Sequence, residues 1–537
     1  MEFGGREPGL NEGPLIPLES GEQYRFHFDM GKCIGCKCCE VACHEQNNNP
    51  ADVQWRQVGE IEGGEFPKTT RLYVSMACNH CLEPTCLTGC PTDTYYKDPI
   101  TGAVRMRADS CIGCGYCTWN CPYEAPQFNP ERNMVTKCDL CHNRLVEGHL
   151  PACVAACPSG AIEIEKVNQG AWKQDHSQAN GPGVPESSIT VSTTRLTVPP
   201  HLQADLDRAD EYRLRPEKPH YSLIFMTVLT QLSVGGFLSL FLAELLSHWM
   251  QHPPGADPRQ LSMTMAGGGL EPLAGAAPLQ KFLQVGPFAM LGAAGLALTT
   301  SVFHLGRPLF AWRALKMWKR SWLSREVLFF SLFAGLASVY SILRWRSLAL
   351  PPGTMETLGV LVAMTGLAGI YSSARIYMVP ARPSWNNIRT PIAFFSTGFL
   401  LGPLAILLLF AAQSNLSQAV MLIGKTLVGI ILIAGFAQLG SILVKLFYII
   451  SREEHELRGT AKLLTQKFRT PFLSRIGSLL ITLIGIPLTL VGLLQSGGIG
   501  VPIWIGMFLF LALGSELLGR YLFFVSVVPK NRPEGYF

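Results

Sequence analysis

The sequence predicts an α+β domain followed by an all-α bundle of eight membrane-spanning helices. Three observations predict this division. All 17 cysteines lie between Cys33 and Cys157, nearly all long apolar runs lie after Tyr221, and charged residues make up only 15% of the 537 residues. A low average charge that hides such a split indicates one soluble part and one membrane-embedded part. The net charge of +5 is mild and predicts no nucleic-acid partner.

Sixteen of the cysteines fall into four groups of four with short, regular spacing. The first and third groups read C-x2-C-x2-C-x3-C, the second reads C-x2-C-x4-C-x3-C, and the fourth reads C-x2-C-x11-C-x3-C. A proline follows each of the last three groups. The groups are Cys33, Cys36, Cys39 and Cys43; Cys78, Cys81, Cys86 and Cys90; Cys111, Cys114, Cys117 and Cys121; and Cys138, Cys141, Cys153 and Cys157.

This spacing is typical of iron–sulfur ligation, in which a tight loop directs thiolates at one cluster and the cysteine before proline reaches a neighbouring one. Zinc is the weaker alternative, because zinc sites lack the C-x3-C-P ending. We therefore predict four [4Fe-4S] clusters in a double ferredoxin-like α+β domain over residues 1–165. A row of clusters indicates an electron path rather than a structural staple. Cys38 is expected to be a small buried filler rather than an alternative ligand. Lys32, Lys37 and Lys137 are expected to be solvated, and the alternative is that they raise the cluster potentials by offsetting cluster charge.

The rest of the chain reads as a linker and a membrane domain. Residues 166–220 are polar and rich in proline, which predicts an extended linker. This linker could pack on the cysteine-rich domain or on a partner. Residues 221–537 form the predicted membrane anchor, whose eight apolar runs can each cross a hydrocarbon core of about 30 Å. The predicted spans are Ser222–Leu246, Val285–Phe303, Val327–Leu343, Thr357–Met378, Ile392–Ala412, Val420–Ile442, Ile476–Leu494 and Val501–Phe524.

The distribution of basic residues predicts the orientation. An even number of spans returns the C-terminus to the side of the cysteine domain, and residues 1–31 show no export signal. The positive-inside rule then puts this side, with both termini, in the cytoplasm. Basic residues on the cysteine side are Arg307, Arg313, Lys316, Lys319, Arg320, Arg325, Arg375, Arg382, Arg389, Lys445, Arg452, Arg458, Lys462, Lys467, Arg469, Lys530 and Arg532, whereas the other side has Arg259, Lys281, Arg344, Arg346 and Lys425.

Ionisable residues at the spans are candidates for function. His304 ends the second span without a second histidine in any predicted span, so a di-histidine haem is not expected. The nearest cluster would then exchange electrons with a lipid-soluble quinone. Ionisable groups near the membrane surface can relay the protons that quinone reduction requires. For His304 the alternative is a helix-end histidine bonded to a carbonyl, and Glu516 and Arg520, four apart, could form a structural ion pair. The predicted quinone-binding residues are His304, Arg325, Glu326, Arg375, Glu516 and Arg520.

Several motifs carry a family resemblance. The stretches His304-Leu305-Gly306-Arg307-Pro308 and Ser321-Trp322-Leu323-Ser324-Arg325-Glu326 resemble the membrane anchor of dimethyl sulfoxide reductase-type molybdoenzymes. So do Ser373-Ala374-Arg375-Ile376-Tyr377 and Ser515-Glu516-Leu517-Leu518-Gly519-Arg520. Residues 24–165 resemble the four-cluster subunit of the same family. The two parts are usually separate polypeptides in that family, and here they are fused.

The resemblance implies ligand sets in which paired groups exchange their last cysteine. It also implies that the third-group cluster lies nearest the membrane and the first-group cluster nearest a catalytic subunit, and that His304 and Glu326 affect quinol binding. The implied sets are Cys33, Cys36, Cys39 and Cys157 (cluster 1); Cys138, Cys141, Cys153 and Cys43 (cluster 2); Cys78, Cys81, Cys86 and Cys121 (cluster 3); and Cys111, Cys114, Cys117 and Cys90 (cluster 4).

The resemblance further implies a large partner subunit that binds a molybdenum–bis-pterin cofactor, for which this chain has no site. In anchors of dimethyl sulfoxide reductases, the loop between the second and third spans is usually nearly uncharged. In this chain the same loop carries six basic residues. That is more similar to the cytoplasmic sulfite-oxidising branch, so we expect sulfite oxidation coupled to quinone reduction. The alternatives are a quinol-oxidising reductase of a sulfoxide, N-oxide or sulfur compound, and a structural anchor without quinone chemistry.

Overall fold

The computed structural model describes residues 18–200, 206–251, 276–347, 350–411, 418–496 and 500–534. Within these ranges it confirms the predicted fold class: an α+β ferredoxin-like domain precedes eight long apolar helices. Most of the segment in which we expect no export signal lies outside the described residues.

Short strands, ten in the described ranges, build the cysteine-rich domain. One of two three-stranded sheets in the described ranges has β1 at its centre, with β8 antiparallel on one side and β9 parallel on the other. Six consecutive residues of β1 are buried, because the flanking strands and loops cover both of its faces. The strands are β1 Glu22–Asp29, β2 Gln57–Gly63, β3 Thr70–Met76, β4 Tyr95–Lys97, β5 Val104–Met106, β6 Gln127–Asn129, β7 Met134–Thr136, β8 Ile162–Asn168, β9 Arg195–Thr197 and β10 Asp207–Arg208.

Residues 166–220, predicted as an extended linker, pack on this domain in their described part. β9 completes the first sheet, and β10 pairs with β2 in a second sheet that also contains β3. Thr193 is fully buried and its hydroxyl group donates to the carbonyl oxygen of Asn79 at 2.6 Å. The segment thus closes the domain, and the boundaries at residues 165 and 220 stay a prediction.

Short helices carry or follow the cysteines. α2 contains Cys86 and α3 contains Cys117, and each of these helices ends one residue before the last cysteine of its group. Gly115, with φ of 71°, lies in the left-handed region and lets the chain turn sharply into α3. The helices are α1 Cys38–Asn47, α2 Thr85–Gly89, α3 Tyr116–Asn120, α4 His142–Val146, α5 Ala152–Ala155 and α6 Gln169–Gln174.

Eight membrane-spanning helices follow in the described part of the chain, with mean hydropathy between 1.5 and 2.4 over their apolar windows. Each overlaps one predicted span, so the prediction of eight spans is confirmed. α7 extends beyond its predicted end, and His248 therefore lies at the end of a span on the side opposite His304. The spanning helices are α7 Tyr221–Gln251, α8 Ala276–Val302, α9 Trp322–Arg346, α10 Thr354–Tyr377, α11 Arg389–Ala411, α12 Gln418–Ser451, α14 Arg469–Ser496 and α15 Gly500–Val525, and the short α13 is His455–Lys462.

The bundle is closely packed where α7 crosses α11. A Cβ atom at Gly235 would collide with the backbone of Gly398, and one at Gly402 would collide with Gly235 and Gly236. Small residues at such a crossing let two helix backbones touch, which is how helices associate in lipid. The crossing fixes α7 against the bundle directly after the linker.

Candidate functional site: the cysteine row and the cavity at the domain junction

The first and fourth cysteine groups lie side by side. Cys33 lies within electrostatic reach of Cys157, the last cysteine of the fourth group. Cys43, the last cysteine of the first group, lies in the same way beside Cys141 and Cys153. Each group therefore faces the remote cysteine of the other, as the expected ligand sets require. The ligand sets themselves stay a prediction.

The second and third groups show the same arrangement. Cys86 of the second group lies beside Cys121, the last cysteine of the third. Cys117 of the third group lies beside Cys90, the last cysteine of the second. The remote cysteine thus faces the other group within this pair as well.

The two pairs meet at Cys138. This residue of the fourth group interacts electrostatically with Cys78 of the second, so the groups follow one another in the order first, fourth, second, third. Lys137, expected to be solvated, is only 4% exposed, and its ammonium group donates to the carbonyl oxygens of Val104 and, at 2.8 Å, Cys138. That expectation is wrong because Lys137 lies where the two pairs join.

Backbone amides around the cysteines provide the surroundings that bound clusters need. The amide of Gly113 donates to Sγ of Cys111 at 3.4 Å, and that of Ala161 donates to Sγ of Cys157 at 3.2 Å. Hydrogen bonds to sulfur tune the potential of an iron–sulfur cluster. All four groups offer cysteine sulfur, a soft donor set that suits iron–sulfur clusters.

The outer edge of the first group is open. Cys36 and Cys38 are exposed, as are 65% of Ile34 and 61% of Val41. The expectation that Cys38 is a buried filler is wrong, because Cys38 begins α1 at the surface, after the left-handed residue Lys37. This edge carries apolar side chains at the end of the cysteine row that is far from the membrane.

At its other end, the row is joined to the membrane bundle by a loop at residues 303–321. The amides of Gly306 and Arg307 donate to the carbonyl oxygens of Gly113, at 3.2 Å, and Ile112, at 3.0 Å. The hydroxyl group of Ser321 donates to the carbonyl oxygen of Gly89 at 2.6 Å. The loop thus holds the backbone between the third-group cysteines directly against the membrane domain.

A cavity of about 290 Å³ lies at this junction. Cys114, Tyr116 and Trp119 line it from the cysteine-rich domain, and His304 and Glu326 line it from the membrane domain. The remaining lining residues are largely apolar. A cysteine of the third group thus borders the same space as the two ionisable residues named by the family resemblance.

His304 is held in one orientation. Its Nδ1 donates to the carbonyl oxygen of Ser301, one turn earlier in α8. A neutral imidazole with its proton on Nδ1 offers Nε2 as a hydrogen-bond acceptor. The helix-end histidine bonded to a carbonyl and the cavity-lining histidine are therefore the same residue.

Two other predicted quinone-binding residues lie next to the cavity without lining it. Arg325 stacks on the ring of Trp322 at 4.2 Å, and its guanidinium donates to the carbonyl oxygens of Trp318 and Lys319. Arg375 lies 4.9 Å from the same ring. Glu326, by contrast, is 6% exposed and does line the cavity.

Glu516 and Arg520 line a different cavity, in the second half of the bundle. Both oxygens of Glu516 accept from Gln438, and one also accepts from Thr397. Arg520 donates to Gln231 at 2.9 Å. Among the described residues these two side chains bond to other partners, so the expected direct pair does not form. Their proposed role at the quinone is not supported by position.

Sequence reasoning missed the part played by Arg532. Arg532 was predicted only as one of the basic residues on the cysteine side of the membrane. Its side chain is 1% exposed and reaches into the cysteine-rich domain. Its guanidinium donates to the side chain of Gln57 at 3.0 Å and to the carbonyl oxygen of Gln54 at 2.8 Å. No local pattern marks this residue, because its partners lie more than 450 positions away.

Comparison with known proteins agrees with this architecture. Residues 69–167 match the family described as 4Fe-4S dicluster domain, and residues 275–525 match the family described as DMSO reductase anchor subunit (DmsC). The B subunit of anaerobic dimethyl sulfoxide reductase from Haemophilus influenzae is 36% identical over 194 residues, which are 34% of this chain and 93% of that protein.

The chain belongs to the dimethyl sulfoxide reductase family of iron–sulfur and membrane-anchor subunits. Within this family, the probable anaerobic dimethyl sulfoxide reductase subunit YnfG of Escherichia coli is 37% identical over 176 residues (31% of this chain, 85% of that protein). The formate dehydrogenase-O iron–sulfur subunit of Escherichia coli is 40% identical over 172 residues (29% of this chain, 57% of that protein). The expected fusion of an electron-transfer subunit with a multi-pass anchor is thereby confirmed.

Proposed function

We propose that this chain carries electrons through four [4Fe-4S] clusters between a molybdenum-containing catalytic subunit and a quinone bound at the domain junction. The observation that carries the proposal is the shared cavity, which Cys114 borders from one side and His304 and Glu326 from the other. A redox carrier in this space would contact both a cluster ligand and groups able to exchange protons. Bound clusters would supply one-electron steps, whereas quinone reduction requires two electrons and two protons.

The residues around the cavity fit this division of work. Nε2 of His304 can accept a hydrogen bond from a quinol hydroxyl group and so orient it. Glu326, the buried carboxyl group beside it, can give or take a proton at the quinone oxygen. Trp119 and Tyr116 offer apolar ring faces that suit a quinone ring. Arg325, Arg375, Glu516 and Arg520 are not assigned to quinone contact in this proposal.

The open edge of the first group is our candidate for the contact with the catalytic subunit. Ile34 and Val41 expose apolar surface beside Cys36, at the end of the row opposite the membrane. Apolar side chains at such a position favour a protein partner that covers them. Electrons would then pass through the groups in the order first, fourth, second and third.

For the reaction we propose sulfite oxidation coupled to quinone reduction, with the cluster domain in the cytoplasm. The support is the concentration of basic residues on the cluster side of the membrane. Arg307, Arg313 and Lys316 have a second explanation, because they contact backbone or acidic groups of the cluster domain. The orientation therefore rests on the rest of that loop and on the loops after the fourth and sixth spans.

A quinol-oxidising reductase is the second candidate. It is favoured by the similarity to dimethyl sulfoxide reductase B subunits and to YnfG. The two candidates share the electron path and differ in its direction, so one preparation can distinguish them.

The decisive experiment uses the complex purified from its own membranes in mild detergent. Sulfite is expected to drive reduction of a soluble quinone analogue, and His304→Ala is expected to abolish this while the cluster signals in electron paramagnetic resonance persist. Consumption of a sulfoxide or N-oxide driven by a quinol analogue, with no response to sulfite, would replace the sulfite reaction by the second candidate. If quinone turnover were unchanged in both His304→Ala and Glu326→Gln, quinone would react elsewhere in the complex. This chain would then be only a structural anchor.

A further inference from the structure

A second cavity, of about 80 Å³, lies within the bundle near its cluster-side end. Four basic side chains line it, and among its described lining residues Glu516 is the one carboxylate. The four cations are Arg389 of α11, Lys445 of α12, Arg475 of α14 and Arg520 of α15.

The described contacts of these cations are with neutral groups. Arg520 is 5% exposed; it donates to an amide oxygen and its guanidinium lies 3.7 Å above the ring of Phe394. Its Nε has no hydrogen-bond partner among the described residues, and neither has the Nε of Arg475. Arg389 lies 4.6 Å from the ring of Tyr448. Donors from two different helices therefore remain unsatisfied beside the same cavity.

The one acidic residue offsets at most one of these four charges. Glu516 accepts hydrogen bonds from the side chains of Thr397, at 2.6 Å, and Gln438, at 2.7 Å, both of which are neutral. Even a fully ionised Glu516 leaves three positive charges in excess. Buried like charges without counter-charges are costly within a membrane. A bound anion would remove this cost.

The size and depth of the cavity narrow the ligand. A space of about 80 Å³ holds a compact group, since one water occupies about 30 Å³ of liquid. Arg389 begins α11 and Arg475 lies in the second turn of α14, so both are near the membrane surface on the cluster side. Basic pockets between helices at this depth bind the phosphates of anionic lipids.

We propose that this cavity binds a phosphate oxyanion, supplied by the headgroup of a membrane phospholipid or by phosphate in solution. Guanidinium groups bind such oxygens in pairs through charge-assisted hydrogen bonds, and Lys445 adds a further cation. The ligand would tie together α11, α12, α14 and α15. The site is separate from the junction cavity and does not depend on quinone chemistry.

The test uses the whole complex, stripped of loose lipid by repeated washing in a neutral detergent. Native mass spectrometry would show whether one phospholipid per chain is retained, and equilibrium dialysis with labelled orthophosphate would test for the free anion. The variant is Lys445→Gln combined with Arg475→Gln, which spares the buried Arg520. Its control is Lys467→Gln, an exposed lysine on the same side that does not line the cavity.

We expect the wild type and Lys467→Gln to retain one phospholipid, and the double variant to bind it at least about tenfold more weakly. Saturable orthophosphate binding that the double variant loses, without retained lipid, would support the site with a soluble ligand. Equal binding in the double variant, or neither ligand bound by the wild type, would overturn the proposal. If the double variant does not assemble, Lys445→Gln alone replaces it and decides between these outcomes.

Discussion

The backbone amide of Gly306 donates to the carbonyl oxygen of Gly113 across 3.2 Å, which joins a loop of the membrane bundle to the loop of the third cysteine group. Neither residue has room for a side chain. A Cβ atom on Gly113 would lie 2.9 Å from Gly306, and one on Gly306 would collide with the carbonyl group of Asn133. The two loops are therefore in direct backbone contact, and this contact sets the distance from the third cysteine group to the junction cavity.

Replacing Gly306 by alanine should separate the two loops without touching a cysteine. We expect the clusters to assemble and to be reduced chemically, while electron transfer to a quinone analogue falls by about a hundredfold, since small misplacements cost rate steeply. Steady-state turnover and cluster absorbance measure the two effects. Gly335→Ala is the matched control, because a Cβ atom there meets no atom within 4 Å.

Glu326→Gln should lower quinone turnover while keeping the shape of the cavity. A positioned acid–base group contributes about a hundredfold or more to a proton-transfer step, so we expect a loss of this size in the maximal rate. The Michaelis constant for the quinone should change less, because the amide still fills the same space. The control is Glu356→Gln, a glutamate in the first turn of α10, near the opposite end of the bundle. Wild-type turnover in Glu326→Gln would remove this residue from the proposed site.

Arg532→Met should loosen the cluster domain. The arginine donates to backbone carbonyl oxygens of Gln54, Trp55 and Met76, which the methionine would leave buried and unpaired. The cost is about 1–3 kcal/mol for such a loss. Cluster absorbance during heating should show a lower midpoint for the variant.

An ion pair to the C-terminal tail provides the control for the Arg532→Met experiment. Arg215 is largely exposed and forms an ion pair with Glu534 at 3.2 Å. A surface pair of this kind contributes little, so Arg215→Gln should leave the midpoint nearly unchanged. Equal midpoints in Arg532→Met and the wild type would mean that the tail does not stabilise the cluster domain.

His220 should make the junction less stable in acid. Burial, followed by the charges of Arg382 and Lys218, lowers the pKa of His220 below 6.5. Its ring packs edge-on against Trp119, at 5.2 Å, and Phe524, at 5.6 Å. The unfolded chain binds the proton more readily than the folded chain does. The stabilising contribution of His220 is therefore fully present above pH 6.5 and is lost as the pH falls below that value.

The measurement is the thermal midpoint at about pH 7.5 and about pH 5.5, on either side of the ordinary histidine pKa. His220→Phe should reduce the difference between the two midpoints, since phenylalanine keeps the ring contacts and cannot be protonated. His149→Phe, at a position outside the junction, should leave the wild-type difference in place. An unchanged difference in His220→Phe would assign the acid sensitivity to other groups.

Local patterns predicted most of the architecture. The cysteine groups are recognisable because the residues of each one lie close in sequence, and the spans are recognisable because lipid requires long apolar runs. The pairing of the groups needed the family resemblance, since Cys43 and Cys141 are far apart in the chain. The packing of residues 166–220 on the domain was one of two alternatives, and the sequence did not show their strands, because short strands such as β9 gain their stability only from a partner strand.

Tertiary contacts determine which of the predicted quinone-binding residues line the junction cavity. His304 and Glu326 come together because one loop connects their helices. Arg325 lies next to Glu326 in sequence, but successive residues of a helix point in different directions, and its side chain stays outside the cavity. Glu516 and Arg520 share a helix face as expected, yet neighbouring helices offer each of them a better partner.

The C-terminal tail gives the cluster domain a further attachment to the membrane bundle. The amide of Lys530 donates to the carbonyl oxygen of Ala381, Asn531 accepts from Arg208, and the amide of Glu60 donates to Glu534. The domain is thus fastened by the segment that precedes α7, by the loop at residues 303–321 and by the segment that follows α15. Each attachment raises the effective concentration at which the others form. A protease that nicks the backbone just before α7 would produce two polypeptides that still migrate as one particle.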